Sequence, residues 1–494
     1  MKRAATNSNQ ERHSRATRAL LCLTLGMVIV SFCGCALHKP PPHATIVDQA
    51  LPKATPLPQK WSAAPDTVNV SDDWVKSFND SGLEEVVREA IANNLDLRQS
   101  AARVEAARQS VIVVGSKLKP HIGATIGGAT THSSNMASSD QFQSNMEYAA
   151  FSWELDVWGR LRSQRAAAQE NYEAVALDYA FARQSLAAIT AKSWYLAIET
   201  RQLLALTEQS VNIYTKLFEL VKIRRAAGRV ADLDVAEASY QLNEAKNQLA
   251  IAQGLYSEAR RTLEVLVGRY PAAELAVAEA FAPLPQPVAP GLPSSLLERR
   301  PDIIAAEHQV LAAFRTQQAA KLALLPSFSL SLEGGRLSDR LLSVLSLNPA
   351  LGHGVIGMYQ PIYQGGALIA QIKIATAQQE QSIAYFGSVA LRALDEVEVE
   401  LTNEQLLAQR LPHTENAVSD HIEAVRVANL RYTAGNMDLL SVLQLQEGQI
   451  QSQAALIKLR NAQLANRINL HLALGGSFDG SPATTSPAAT SKNP

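Results

Sequence analysis

The chain has 494 residues, of which 47% are hydrophobic and 18% charged, so it can bury a large core. Its formal net charge of -1 at pH 7 argues against a nucleic-acid-binding protein, because such proteins carry clusters of basic residues. Aromatic residues make up only 6% of the chain, a composition that favours closely packed helices over a bulky globular core.

The N-terminal residues resemble a bacterial export leader. Basic residues precede an apolar run at 19–33, which has the length of a signal sequence and falls short of the ~20 residues of a membrane-spanning helix. The run ends in Phe32-Cys33-Gly34-Cys35, which resembles a lipobox. We therefore predict a signal peptide at 1–34 and lipidation at Cys35. The alternative is a plain signal peptide that is cleaved at another bond.

The other two cysteines, Cys22 and Cys33, would leave with the leader, so no disulfide is expected in the mature chain. Residues 35–70 are rich in proline and predict an extended tether that follows the lipid anchor. The body is then divided into a first repeat at 71–270, a proline-rich crossover at 271–293 and a second repeat at 294–476. The tail at 477–494 has a composition typical of disorder.

The first half of the sequence predicts a helix, then two strands, and then a long helical hairpin. A helix at about 95–119 is ended by Pro120, because proline has no backbone N–H to continue it. Alternating residues predict strands at 121–131 and 141–155, joined by a polar loop at 131–140. A single helix of about 70 residues follows at 157–227, ~105 Å long, with coiled-coil spacing of apolar residues. An ordinary amphipathic bundle is the alternative, which the length disfavours.

The second half repeats this order. A helix at about 301–325, a strand from Ser327 and a strand at about 354–363 precede another long helix and a final helix at about 437–474. Pro326 follows Pro120 by 206 residues, and Gly435 follows Gly228 by 207 residues. Prolines and glycines that end helices and recur at nearly the same spacing indicate an internal two-fold sequence repeat.

Two hairpins cannot close a membrane barrel, because unpaired strand edges in lipid cost several kcal/mol per backbone group. Three chains would supply twelve strands, an even number within the known range. The predicted fold is therefore an α+β membrane protein. Its trimeric 12-stranded transmembrane β-barrel, with four strands per chain, would be continuous with a long periplasmic α-helical barrel.

Three motifs resemble hallmarks of TolC-like outer-membrane efflux proteins. They are 152–162 (SWELDVWGRLR), 297–307 (LERRPDIIAAE) and 324–330 (LLPSFSL). With the lipobox, the resemblance is to the NodT-type lipoprotein branch that serves resistance–nodulation–division pumps, and it covers about 74–475. It implies a homotrimeric exit duct at the outer membrane that joins an inner-membrane pump through a periplasmic adaptor.

The resemblance also implies a gate at the periplasmic helix turns. Arg431, Tyr432 and Leu440 match the gate motif of the family, whereas Gln444 departs from it, since the pump-linked branch often has Asp there. The carboxylates that could supply charge instead are Asp232, Asp234 and Asp438. The alternative for each is a solvated or helix-start aspartate. The turn glycines Gly228 and Gly435 mark the expected contacts with the adaptor.

A second set of residues is expected where each strand pair becomes a helix. These strand–helix joints contain Trp153, Trp158, Gly159, Tyr363 and Gly365. The tryptophans, with Tyr359 and Tyr363, predict a periplasmic aromatic girdle, with packing in a protein core as the alternative.

The sequence shows no catalytic motif, nucleotide-binding loop or cofactor site. His413 and His421 lie two helical turns apart, but nothing nearby completes a metal site. The acidic run at 395–400 is interpreted as solvated rather than lumen-lining, and Pro412 predicts a helix kink. Two other functions remain open: a type I protein-secretion channel, which the lipid disfavours, and a periplasmic coiled-coil scaffold without a pore, which the hairpins disfavour.

Overall fold

The computed structural model describes residues 39–51, 58–62, 72–135, 138–288, 290–338 and 351–479. The predicted leader, Cys35 and most of the tail lie outside these ranges. The chain forms two compact units. Among the described residues, the first contains those within 39–46, 107–172 and 309–382, and the second contains those within 47–106, 173–308 and 383–479.

The first unit contains a four-stranded antiparallel sheet with the order β1-β2-β3-β4. The strands are β1 (His121–Asn135), β2 (Ser138–Leu155), β3 (Ser327–Ser338) and β4 (Leu351–Tyr359). Within the described ranges, β1 and β4 each pair on one side, so both outer edges of the sheet are open.

Several strand boundaries differ from the predictions. The predicted loop at 131–140 is mostly strand, since β1 runs to Asn135 and β2 starts at Ser138. The backbone hydrogen bonds between two strands do not require apolar side chains. The alternation of apolar residues therefore predicted strands that are too short in this hairpin. In contrast, β4 stops at Tyr359 rather than 363, which places the end of the strand just before Pro361, a residue that cannot donate to a ladder.

Side chains alternate between the two faces of the sheet. The rows Leu155–Phe328–Met358 and Trp153–Leu330–Ile356 place apolar residues on one face. The row Ser152–Ser331–Val355 lies on the opposite face, which also carries the polar side chains of β3. The sheet therefore has one apolar and one largely polar face, as the sequence predicted for β3.

Helices form the rest of the described chain. Short helices are α1 (His43–Ala50), α2 (Trp74–Ser77), α3 (Ser81–Asn93) and α7 (Pro293–Arg299). The longer ones form three pairs of equal length: α4 (Leu95–Ser116) with α8 (Pro301–Leu322), α5 (Arg160–Ala226) with α9 (Ala367–Thr433), and α6 (Asp232–Leu266) with α10 (Leu439–Ala473). Their lengths are 22, 67 and 35 residues respectively.

The two long helices have the predicted extent, and α9 contains Pro412 without being divided into two helices. Most buried positions of α6 are alanines, including Ala238, Ala245 and Ala252, and these small side chains permit close helix approach. Among the described residues, no helix combines the length and apolarity needed to cross a membrane.

The second unit holds a core of buried side chains from α2, α3, α5, α6 and α10, including Trp74, Phe78, Tyr195, Leu263 and Ile468. The crossover is fixed to this unit by specific bonds. The buried Glu264 carboxylate accepts the backbone N–H groups of Ala273, Glu274 and Leu275 at 2.6–2.8 Å, and Arg467 donates to the carbonyls of Pro285 and Gln286. The crossover is therefore irregular, and these bonds anchor it to the unit.

The prediction of an extended tether is wrong for the residues that the structure describes at 39–62. Residues 43–50 are helical, and Ile46 is fully buried. Trp61 is also buried, and its Nε1 donates to the carbonyls of Pro290 and Gly291 at 3.2 and 3.1 Å. Proline content predicted an open chain, but it could not reveal that one apolar and one aromatic side chain find buried sites.

Candidate functional site

The two helix turns of the second unit end their long helices in the same way. Gly228 and Gly435 have φ values of +66° and +81°, in the left-handed region that favours glycine. After each glycine the backbone N–H bonds back to the helix, from Arg229 to Arg224 and from Asn436 to Arg431, both at 2.9 Å. This is the Schellman termination of a helix, and it explains why both turns require glycine.

Aspartates start the helices that follow the turns. Asp438 caps α10 by accepting the Ser441 backbone N–H at 2.8 Å, and its pKa lies below the ordinary value because of this bond and that of the Ser441 hydroxyl. Asp234 accepts the Ala231 N–H at 2.9 Å at the start of α6. Both positions fit the helix-start alternative. Their carboxylates are engaged in caps within the chain.

Asp232 has a different partner. It is exposed and forms an ion pair with Arg225 across the first turn, and the hydrogen bond from this guanidinium lowers the pKa of Asp232. The first turn is therefore closed on its solvent side by a pair of opposite charges.

The two turns are joined through Arg224 and Tyr432. The guanidinium of Arg224 lies 4.3 Å from the centre of the Tyr432 ring and donates to the carbonyls of Tyr432 and Thr433 at 3.1 and 3.2 Å. Tyr432 is buried, and its hydroxyl has no hydrogen-bond partner within the described residues. Packing around Tyr432 includes Tyr214, Val221, Ala428 and Leu439.

The gate motif in the sequence predicted a role for Arg431 here, yet Arg431 is exposed and has no ion pair in the described part of the chain. Arg224 instead makes the contacts with the ring and the carbonyl groups of the second turn. Arg224 precedes Arg431 by 207 residues, the spacing of the repeat. The repeat could therefore have identified Arg224 as a site residue.

Leucine and glutamine side chains project from the second turn. Leu440 is 54% exposed, and Gln444 is also exposed. The equivalent residue of the first turn, Leu233, is 75% exposed and was not among the predicted gate residues. Exposed leucines at both tips leave apolar surface without a partner in the described chain.

The first strand–helix joint is held tightly. Trp158 Nε1 donates to the Pro326 carbonyl at 2.7 Å, and Trp153 Nε1 donates to the Leu118 carbonyl at 3.0 Å. Asp156 accepts the first N–H groups of α5, from Leu161 and Arg162, both at 2.9 Å. Gly159, with φ of +83°, lies at the bend. Both tryptophans are half-buried and bonded to backbone, so they fit the packing alternative better than a girdle.

The second joint is more open. Tyr363 is 87% exposed, and Gln364 Nε2 donates to the Tyr359 hydroxyl at 3.2 Å. Gly365 and Gly366 have φ values of +60° and +84°. The exposed tyrosines retain the geometry expected of a girdle, whereas the tryptophans do not.

Three carboxylates of the acidic run at 395–400, which the sequence predicted to be solvated, are partly buried and bonded within the chain. Glu396 accepts from the buried Arg300 at 2.6 Å, Glu398 accepts the Ser62 N–H at 2.9 Å, and Glu400 accepts from Asn469 at 3.1 Å. Burial raises the pKa of Glu400. The partners come from distant parts of the sequence, which local charge pattern does not reveal.

In the ranges that the structure describes, no group of three or more His, Cys, Asp or Glu side chains could hold a metal ion. His413 and His421 therefore have no third ligand there. The candidate site consists of the two turns, with the joints as a second structural element.

The chain is similar to known proteins of one family. The family described as outer membrane efflux protein matches residues 86–269 and 292–476. The toluene efflux pump outer membrane protein TtgC of Pseudomonas putida is 28% identical over 490 residues, which cover 94% of this chain and 96% of that protein. The pyoverdine export outer membrane protein OpmQ of Pseudomonas aeruginosa is 30% identical over 416 residues, 82% of this chain and 87% of that protein.

A crystal structure of a membrane protein from Pseudomonas aeruginosa superimposes with a TM-score of 0.79 at 27% identity, covering 92% of this chain and 99% of that one. Because the family match alone spans more than half of the sequence, the chain belongs to the outer membrane efflux protein family and serves efflux at the outer membrane.

Proposed function

We propose that three copies of this chain form the exit duct of a tripartite efflux pump. Four strands from each copy would close a twelve-stranded barrel in the outer membrane, and the helices would form a periplasmic tube. The observation that carries the proposal is the sheet with an apolar face and two open edges. In lipid these edges need partners, and an even total of twelve satisfies the barrel rule.

The matching lengths of α4, α5 and α6 with α8, α9 and α10 support a chain built from two repeats. Three such chains would place twelve long helical tracts around the tube. Lipidation at Cys35 would hold each copy at the membrane.

The gate lies at the two helix turns. Three-fold symmetry would convert Leu440 into a ring of three exposed leucines, which would block ions sterically. Asp234 and Asp438 are engaged in helix caps, and Gln444 is neutral. The positive end of each helix offsets part of the charge of these two caps, and the charge of Asp232 is paired with Arg225. The gate is therefore proposed to work mainly by steric exclusion.

The adaptor would contact the outer surface of the turns around Gly228 and Gly435. These turns present exposed leucines and Arg431, which has no ion pair among the described residues. Such a surface suits a partner with apolar and acidic side chains. A resistance–nodulation–division pump in the inner membrane would supply the energy. The named relatives transport toluene and pyoverdine, and the cargo proposed here is small toxic compounds, including drugs.

Conductance of purified full-length protein in planar bilayers tests the duct. We expect trimers with rare openings for the unchanged chain and a rise in open probability for Leu440→Ala. Gln451→Ala is a matched control, because Gln451 is an exposed residue of the same helix, three turns away from Leu440. If the unchanged protein and the Leu440→Ala variant are both monomers without conductance, the duct is overturned. If both conduct with the same open probability, the gate is overturned.

A further inference from the structure

A hydrogen bond joins the two halves of the chain where α5 meets α10. Asn461 Nδ2 of α10 donates to Glu199 Oε2 of α5 at 2.5 Å, and both residues are half-buried. The two helices belong to different repeats, since α5 lies in the first half of the chain and α10 in the second. Within one chain, the second repeat therefore packs against the first through this pair of helices.

The repeat relates this contact to a second pair of positions. Both α9 and α10 follow their counterparts α5 and α6 by 207 residues. Glu199 therefore corresponds to Leu406 of α9, and Asn461 corresponds to Gly254 of α6. These two positions are open in the described part of the chain. Leu406 is 49% exposed, and a Cβ added at Gly254 would meet no atom within 4 Å outside the adjoining backbone of α6.

Gly254 leaves a gap in an exposed apolar stripe of α6. Ile251, Leu255 and Val265 are 48%, 49% and 60% exposed, and with Gly254 they line a surface groove. Glycine in the interior of an exposed helix costs about 1 kcal/mol relative to alanine. A gap between larger side chains is what a leucine from a facing helix fills in a coiled coil, and glycine lets that helix approach closely.

Leu406 lies on the side of α9 that faces away from α10. Two carboxylates of α9 bond to α10, since Glu404 accepts from Arg467 and Glu415 accepts from Arg460 at 3.1 Å. With 3.6 residues per turn, Leu406 projects from roughly the opposite side of the helix. Its side chain is therefore available to a helix that lies beyond α9.

Opposite charges accompany the two positions. Arg261 lies two turns after Gly254 on α6, and Asp395 lies three turns before Leu406 on α9. Both are exposed, and neither has an ion pair among the described residues. If the two helices run antiparallel with Gly254 opposite Leu406, these charges lie about 6 Å apart along the axis, which an arginine side chain can span.

We propose that Leu406 of one copy inserts into the gap at Gly254 of the next copy, so that α9 and α6 form the interface between copies. The interface rests on the trimeric duct proposed above. Each copy has one surface of each kind, and such a head-to-tail interface closes into a ring when the rotation permits. The junction between copies then repeats the antiparallel junction that α5 and α10 form within a chain.

The first test is a disulfide between Gly254→Cys and Leu406→Cys. Cys35 is the predicted lipid site, and Cys22 and Cys33 lie in the predicted leader, so the introduced thiols are the pair that can react. Oxidation of outer membranes should convert most of the double variant into covalent dimers and trimers on a non-reducing gel, because a disulfide needs Cα atoms within about 7 Å. Each single variant should give monomers without a trimer band.

The matched control combines Leu406→Cys with Asn247→Cys. Asn247 is exposed two turns before Gly254 on the same face of α6, about 10 Å along the axis, so no covalent oligomer is expected. Equal cross-linking of this pair overturns the register.

The mass of the unchanged protein in mild detergent, measured by light scattering, separates two kinds of failure. If the unchanged protein is a trimer but the Gly254→Cys/Leu406→Cys variant gives no covalent oligomer, the interface is overturned and the duct is not. If the unchanged protein is a monomer, the duct is overturned together with the interface.

The second test transfers the α5–α10 pair to the interface. Leu406→Glu places a carboxylate in an apolar gap, and Gly254→Asn fills that gap. Each change alone should lower the temperature at which trimers dissociate in mild detergent by several degrees. Together they recreate the Glu199–Asn461 hydrogen bond between copies and should recover most of the loss. Losses that simply add in the double variant would overturn the equivalence of the two junctions.

Discussion

The two helix turns end their helices identically but are held by different forces. Both use a glycine with positive φ and the same pair of backbone bonds. The equivalent positions Arg225 and Tyr432, however, make different contacts. In the first turn Arg225 forms an exposed ion pair with Asp232, whereas in the second turn the buried ring of Tyr432 lies beneath Arg224. Exposed ion pairs contribute little to stability, whereas buried aromatic side chains contribute several kcal/mol. The second turn is therefore the firmer structural base of the proposed gate.

The largest effect is expected from Tyr432→Ala. It removes a buried ring that packs with Tyr214, Val221 and Leu439, which costs about 3 kcal/mol or more. Hydrogen exchange of the α9–α10 turn amides should report this as much faster local opening.

Tyr432→Phe is the matched control for this prediction. The hydroxyl has no bond partner in the described residues, so its removal should leave exchange nearly unchanged. Strong opening in Tyr432→Phe would show that the hydroxyl, rather than the ring, holds the turn.

The next effect is expected from Gly435→Ala and Gly228→Ala. No atom lies within 4 Å of an added Cβ at either site, so the cost is the left-handed backbone, about 1 kcal/mol. We expect the two substitutions to lower the free energy of local opening by equal amounts, each at its own turn. A much larger effect at one turn would mean that its glycine has a further packing role.

A smaller effect is expected from Asp438→Asn, which retains an N-cap side chain but removes its charge. The folded-state pKa of Asp438 lies below its ordinary value of 3.8. Its charge therefore stabilises the turn above that pH, and this contribution is lost as the pH falls through the folded pKa. The protection of the amides at the start of α10, relative to their intrinsic exchange rate at each pH, should fall in acid in the unchanged chain and lose this dependence in Asp438→Asn.

The smallest effect is expected from Asp232→Asn. Both members of the pair with Arg225 are exposed, and salt screens such pairs. We expect no measurable change in local opening at physiological salt. A loss comparable to that of Tyr432→Ala would contradict the view that the two turns are held by unequal forces.

Part of the site could be predicted because its cause is local. Gly228 and Gly435 were identified correctly as turn residues, since a helix termination with positive φ requires glycine. Arg224 was missed, because its partners are the ring and carbonyls of the second repeat. Trp61 and Glu398 were missed for the same reason, as each bonds to a residue more than two hundred positions away.

The sequence by itself determined the order of helices and strands, the two long helices and the apolar face of β3. These features follow from period-2 and 3.6-residue patterns and from prolines and glycines, whose effects act within a few residues. Only the tertiary structure decided which charges are paired and which leucines remain exposed. Those outcomes depend on side chains that are distant in sequence and meet only when the helices pack.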